Sequence, residues 1–206
     1  MSVGKILAVG WNYRSHVEET NAEPPKEPIV FMKPSSAVIA DGDDIIIPPG
    51  IGRVDHEVEL AVIIGSVCRL VTVDKALEYV SGLAVANDVT ARDMQTEARK
   101  AGNPWTLSKG MDTFAPLSEP VPSDSVDDIQ DLRLELRVNG KLRQAGRTSL
   151  MIFPVAELIS YISRYMTLCP GDVIMTGTPE GIAPLHRGDE VVARIDGVGI
   201  LRNRVC

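Results

Sequence analysis

Short apolar runs alternate with polar punctuation along this chain, and the period of the runs changes as it proceeds. Val58, Leu60, Ala61, Val62, Ile63 and Ile64, closed by Gly65, read as one strand. A second run, Gly82 to Ala86, ends on Asn87 and Asp88. Two hairpins are marked by their turn residues. Asn139-Gly140 lies between Leu132 to Val138 and Leu142 to Ala145, and Asp196-Gly197 lies between Val191 to Ile195 and Val198 to Leu201. Helical spacing predicts helices over Val73 to Val80, Thr90 to Ala101 and Pro154 to Tyr165, the last with Pro near its first turn. Thr90 with Asp93 three residues on reads as a capping-box-like pair at the start of the second helix. Pro116 to Asp131, rich in Pro, Ser and Asp, reads as a surface connection, because neither side would own a complete core. The expected class is α+β, mainly β, in one domain over residues 1–206.

The departures from this pattern carry the chemistry. Glu57 and Glu59 flank Val58, and in a strand positions i and i+2 point to one face, so the two carboxylates would lie close together. Like charges so placed share a proton, face water or hold a cation, and Mg2+, Mn2+ and Ca2+ favour oxygen ligands of this kind. The solvated face of a half-buried strand has the same spacing. Asp88, at a strand-to-helix junction, is either a third oxygen ligand or a turn former. His16 and Glu19 have i, i+3 spacing, which on a helix lets a carboxylate orient an imidazole as a general base; two solvated residues have the same spacing. His56 faces away from the glutamates and reads as structural, and His186 as an exposed loop residue. Thr178, between Gly177 and Pro179, occupies a tight turn whose hydroxyl and N–H groups suit a carboxylate.

Composition narrows the class. At 206 residues and 44% hydrophobic content, the chain supports one substantial core. A net charge of -7 argues against general affinity for nucleic acid or anionic membrane, so an anionic substrate needs local help from a cation. No apolar stretch reaches transmembrane length, and Met1 to Gly10 lacks the features of a signal peptide, which makes the cytoplasm the expected location. Cys68, Cys169 and Cys206, odd in number and without metal-ligand spacing, read as free thiols.

Five segments in order carry a resemblance. They are Gly10-Trp11-Asn12-Tyr13 with His16 and Glu19, Asp55-His56-Glu57-Val58-Glu59-Leu60, Asn87-Asp88-Val89-Thr90-Ala91-Arg92-Asp93, Lys109-Gly110-Met111-Asp112-Thr113-Phe114, and Thr176-Gly177-Thr178-Pro179-Glu180-Gly181. Together they resemble the fumarylacetoacetate hydrolase family, within it the single-domain branch of acylpyruvate hydrolases and oxaloacetate decarboxylases. The resemblance implies the rolled, mixed β-sheet fold of that family's C-terminal domain, assembled as a homodimer, with Mg2+ or Mn2+ held by Glu57, Glu59 and Asp88. It implies a His16–Glu19 dyad on a lid over about residues 14–28, Lys109 and Gln95 stabilising negative charge, and Thr178, Arg92 and Lys109 binding a small 2-oxo acid. For Arg92, pairing with an acid is the alternative role.

The implied reaction is hydrolysis of a carbon–carbon bond in a 2,4-dioxo acid such as acetylpyruvate or fumarylpyruvate, through an enolate stabilised by the metal. Decarboxylation of oxaloacetate and isomerisation of 2-hydroxyhepta-2,4-diene-1,7-dioate share that enolate. A non-enzymatic oligomer with a structural metal is the contrasting class, and it would need neither a base nor a substrate cation beside the ion. Trp11 departs from the family pattern, where relatives carry Arg or another polar residue, and so implies a different substrate tail.

Overall fold

The computed structural model describes residues 3–206. Two sheets dominate it. The larger has six strands in the order Val121–Pro122, Val80–Asn87, Val58–Ile64, Val173–Met175, Ile6–Gly10 and Ile29–Lys33. Ile6–Gly10 runs parallel to Val173–Met175, and the other pairings are antiparallel. The second sheet has five strands in the order Lys141–Arg147, Arg133–Val138, Glu190–Ile195, Gly199–Val205 and Asp44–Ile45. Val38–Ile39 with Ala115–Pro116, and Val54–Asp55 with Thr90–Ala91, form two short ribbons. The α+β, mainly β expectation holds.

Strand Val58–Ile64 is buried along its whole length, on both faces. Leu60, Val62 and Ile64 share one core with Leu83, Val85 and Ile174 of the same sheet, and with Leu134, Leu136, Val191 and Ala193 of the other. Val155, Ile159 and Ile162 of helix Val155–Tyr165 join the same core. On the opposite face Ala61, Ile63, Ala84, Ala86, Ile6 and Ala8 pack beneath Ala37, Ala115 and Leu117 in a second cluster of smaller side chains. By the two-residue period of a strand, Glu57 and Glu59 belong to this small-residue face.

Both expected hairpins form. Asn139 (φ 51) and Gly140 (φ 74) take the positive φ that a two-residue turn with matching twist requires, which is why Asn-Gly is used there. The second connection spans three residues, Asp196 to Val198, with Ile195 paired to Gly199. A register shift in the first hairpin pairs Leu136 with Gln144 but Arg137 with Leu142, leaving Arg143 as a bulge. Gln144 is consequently the one buried residue of strand Lys141–Arg147.

The helices differ in detail from expectation. Val73–Tyr79 is a 3-10 helix, and the second helix spans Arg92–Ala101, two residues late. Thr90 and Ala91 are instead paired with Asp55 and Val54. The capping pair therefore does not form: the Thr90 hydroxyl donates to the Asp88 carbonyl (2.8 Å), and Asp93 accepts the Arg53 N–H (2.9 Å). Pro116 to Asp131 is more than a surface connection, since Val121–Pro122 forms an edge of the larger sheet, the position where Pro is tolerated. Among the described residues no helix is long and apolar enough to cross a membrane, and Cys68, Cys169 and Cys206 are free thiols.

Candidate functional site

The in-register pairing of two strands builds the floor of the site. Val58 lies opposite Asn87, and the Asp88 N–H donates to the Glu57 carbonyl at 2.8 Å, so Glu57 and Asp88 face one another where the strands end. Glu57, Glu59 and Asp88 offer oxygen atoms that lie within 4.8 Å of one another, and all three residues are buried. Such a cluster folds only if its charge is offset. Lys109 Nζ donates to Glu57 Oε2 (2.8 Å) and Asp88 Oδ2 (2.5 Å), while Lys33 Nζ reaches Asp88 Oδ1 (2.5 Å). Arg92 Nη2 pairs with Glu57 Oε1.

Glu59 is different. Its Oε2 accepts the Gly177 N–H at 2.7 Å, and among the described residues no cation pairs with it. Burial, then the fields of Asp88 and Glu57, push its pKa well above the usual carboxylate range. Glu57 responds oppositely: burial opposes its charge, but Lys109 and Arg92 outweigh burial and hold its pKa below that range. Lys109 shows the reciprocal balance, burial being outweighed by Asp88 and Glu57 so that its pKa is raised. Lys33, fully buried, has its pKa lowered because desolvation exceeds the attraction of Asp88. Three buried oxygen donors, one of them lacking a counter-charge, fit a hard divalent cation held by Glu57, Glu59 and Asp88.

The roof is a short helix, Arg14–Glu19. His16 is buried, and its Nδ1 meets Glu19 Oε2 at 3.2 Å. Glu19 Oε1 accepts the N–H of Gly181 at 3.0 Å, tying the helix to the turn that carries Thr178. Burial works against the Glu19 charge, yet the bonds from His16 and Gly181 outweigh it and lower its pKa. The helix is also held by Trp11, whose Nε1–H donates to Thr20 Oγ1 at 3.1 Å.

His16, Glu19, Glu57, Glu59, Asp88, Arg92, Gln95, Lys109 and Thr178, every site residue expected from the sequence, line one cavity of about 400 Å³. That volume suits a small ligand. Of the two roles open for Arg92, the structure shows pairing with acids: Nε meets Asp55 Oδ2 (2.7 Å), Nη2 meets Glu57, and Nη1 donates to Gln95 Oε1 (2.6 Å). Because an arginine can only donate, Gln95 Oε1 is committed and its amide N–H2 remains for the cavity. Trp11, Phe31 and Trp105 form an aromatic wall, with both other rings 5.4 Å from Trp105 and the Arg99 guanidinium 4.5 Å above Trp11.

His56 is buried away from the cavity with Nδ1 against Gln144 Oε1 (2.9 Å), and His186 is exposed, as expected. Lys33, Asp55 and Gln144 escape the sequence reading. Asp55 alone left a signal there, since Asp55, Glu57 and Glu59 continue one two-residue alternation.

Comparison with known proteins agrees with this geometry. Residues 5–206 match the model of the fumarylacetoacetate (FAA) hydrolase C-terminal family. The mitochondrial oxaloacetate tautomerase FAHD1 of Bos taurus is 45% identical over 200 residues, 97% of this chain and 90% of that protein. The structure of fumarylpyruvate hydrolase from Pseudomonas aeruginosa in complex with Mn2+ and pyruvate superposes with a TM-score of 0.95 at 36% identity, covering 98% of this chain and 89% of that one. For 2-hydroxyhepta-2,4-diene-1,7-dioate isomerase from Mycobacterium marinum the TM-score is 0.88 at 39% identity, with 98% and 74% coverage. These relatives carry three different reaction names on one architecture, so the match fixes the lineage and leaves the reaction to the site: the chain is an enzyme of the fumarylacetoacetate hydrolase family.

Proposed function

We propose that this enzyme hydrolyses the carbon–carbon bond of a 2,4-dioxo acid of the acylpyruvate type, releasing pyruvate and a carboxylic acid. The observation that carries this reading is the His16–Glu19 pair closed over the three carboxylates in one cavity. A site that only stored a metal would not need a base oriented above it. Binding of Mn2+ and pyruvate by the Pseudomonas aeruginosa relative supports both the metal and the product.

Thr178 and its turn receive the substrate carboxylate. When bound by Glu57, Glu59 and Asp88, Mg2+ or Mn2+ supplies Lewis-acid polarisation of the 2-oxo group. Glu19 holds His16 through Nδ1, and the imidazole takes a proton from water. The water oxygen attacks the distal carbonyl, the bond between that carbon and the methylene breaks, and its electron pair becomes the enolate of pyruvate. Lys109 and Gln95 offer N–H donors to the developing negative charge. His16 then returns its proton to the methylene carbon. The lid, residues 14–28, limits water in the site to the reacting molecule.

A second reading is favoured by the 45% identity to an oxaloacetate tautomerase. Loss of carbon dioxide from oxaloacetate gives the same pyruvate enolate without an attacking water, while its tautomerisation passes through the enolate of oxaloacetate itself. The test is turnover of acetylpyruvate and oxaloacetate by chelator-stripped enzyme, with and without added Mg2+ or Mn2+, following pyruvate and the ultraviolet absorbance of the enol. Metal-dependent pyruvate from acetylpyruvate establishes the hydrolase. Activity confined to oxaloacetate transfers the site to the second reading.

A further inference from the structure

Gln144 stands on an edge strand of the second sheet, far in sequence from every residue of the site, and is the only member of that strand turned inward. All four of its hydrogen-bonding positions are in use. Oε1 accepts the Val58 N–H at 3.0 Å and faces His56 Nδ1 at 2.9 Å. Nε2 donates to Thr178 Oγ1 at 2.7 Å and to the Pro179 carbonyl at 2.9 Å. The orientation of this amide has no freedom. A main-chain N–H can only donate and a main-chain carbonyl can only accept, so the Val58 and Pro179 contacts each fix which end is oxygen and which is nitrogen.

One consequence concerns Thr178. Its oxygen must accept from Gln144, so its hydroxyl proton is directed elsewhere. Among the described residues no protein acceptor takes that proton, and Thr178 borders the cavity. We infer that Gln144 is a positioning residue that forces Thr178 to act as a hydrogen-bond donor toward the anionic end of the substrate. The chain runs from the Val58 N–H and His56, through the Gln144 amide, to the Thr178 hydroxyl. His56 has a defined part: facing an acceptor oxygen, its Nδ1 carries the proton, which leaves Nε2 as a buried atom without a partner. The inference rests on the proposed seat of the substrate carboxylate at Thr178.

The test measures binding of oxalate, a compact mimic of the pyruvate enolate, by calorimetry in the presence of Mg2+, with Mg2+ affinity measured separately. In Q144E a carboxylate oxygen replaces the Nε2 donor and accepts the Thr178 proton itself. Oxalate affinity is expected to fall about tenfold or more, the worth of one hydrogen bond to a charged group. Mg2+ affinity is expected to remain unchanged, and T178V added to Q144E to cost nothing further.

Q144M removes the donor that occupies the Thr178 oxygen without offering an acceptor, so the hydroxyl is free to turn: oxalate affinity is expected to fall about threefold, and T178V to cost less in that background than the roughly tenfold it costs in the wild type, while T178S costs nothing in either. Where Q144E fails to fold, this Q144M series decides. Equal losses for T178V in either Gln144 variant and in the wild type, or no difference between T178V and T178S, overturn the inference alone. Failure of the wild type to bind oxalate with Mg2+ overturns the functional reading together with it.

Discussion

The floor and the roof of the cavity are built by opposite means. Glu57, Glu59 and Asp88 stand on or at the ends of paired strands, and Glu57 and Asp88 interlock with Lys33, Lys109 and Arg92. His16 and Glu19 stand on a six-residue helix, too short to be stable alone, whose polar ties to the body are few, Glu19 to Gly181 foremost. Fixed charge geometry demands a rigid scaffold, whereas a base that must admit substrate beneath it benefits from an element that opens at low cost. In the proposed reaction, the difference separates what holds the site together from what lets it turn over.

Metal removal is the strongest way to sharpen this contrast. Turnover of acetylpyruvate should disappear after chelation and return with Mg2+ or Mn2+, while circular dichroism stays native, because Lys33, Lys109 and Arg92 already offset Glu57 and Asp88. Loss of the native spectrum would show that the floor depends on metal for folding. Asp88→Ala comes next. It strands Lys33 in the interior, leaves Lys109 with Glu57 alone, and should cost about 3–5 kcal/mol in urea unfolding. A cost below about 1 kcal/mol would show that the buried pairs are not structural.

Substituting the roof should leave stability and metal binding nearly untouched while slowing the reaction. For His16→Ala, kcat on acetylpyruvate should fall about 10²–10⁴-fold with Mg2+ affinity retained, and a parallel loss of metal affinity would erase the distinction between the two regions. The smallest effect concerns pH. Glu19 has its pKa depressed in the folded protein, so its contribution to holding the helix against Gly181 is present above the ordinary carboxylate pKa and is lost as pH falls through the lower folded value. Protection of the Gly181 amide from hydrogen exchange, taken relative to the intrinsic rate at each pH, should fall only below the ordinary carboxylate range, and Glu19→Gln should remove that pH dependence.

The floor was the most legible part of the sequence, since acids in an apolar run contradict their surroundings. Lys33 contradicts its strand equally, yet at a strand end before Pro34 it resembles any solvated lysine. Gln144 left no trace because the bulge at Arg143 interrupts the alternation that would have marked it as inward. The late start of helix Arg92–Ala101 was equally hidden: local chemistry offered Thr90 as a cap, and a ribbon formed with residues 54–55 claimed it first. Motifs whose signal is local were readable. Contacts decided by distant strands were not.

The placement of Val173–Met175 between Ile6–Gly10 and Val58–Ile64 also sets the order of events during synthesis. Residues 57, 59 and 88 leave the ribosome long before the strand that joins their hairpin to the N-terminal strands. Until that late strand arrives, the sheet stands open with unpaired edges on both sides of the gap. Closing it brings together segments more than a hundred residues apart in sequence, a slow, nonlocal step. The nascent chain is therefore most exposed to aggregation just before Val173–Met175 emerges.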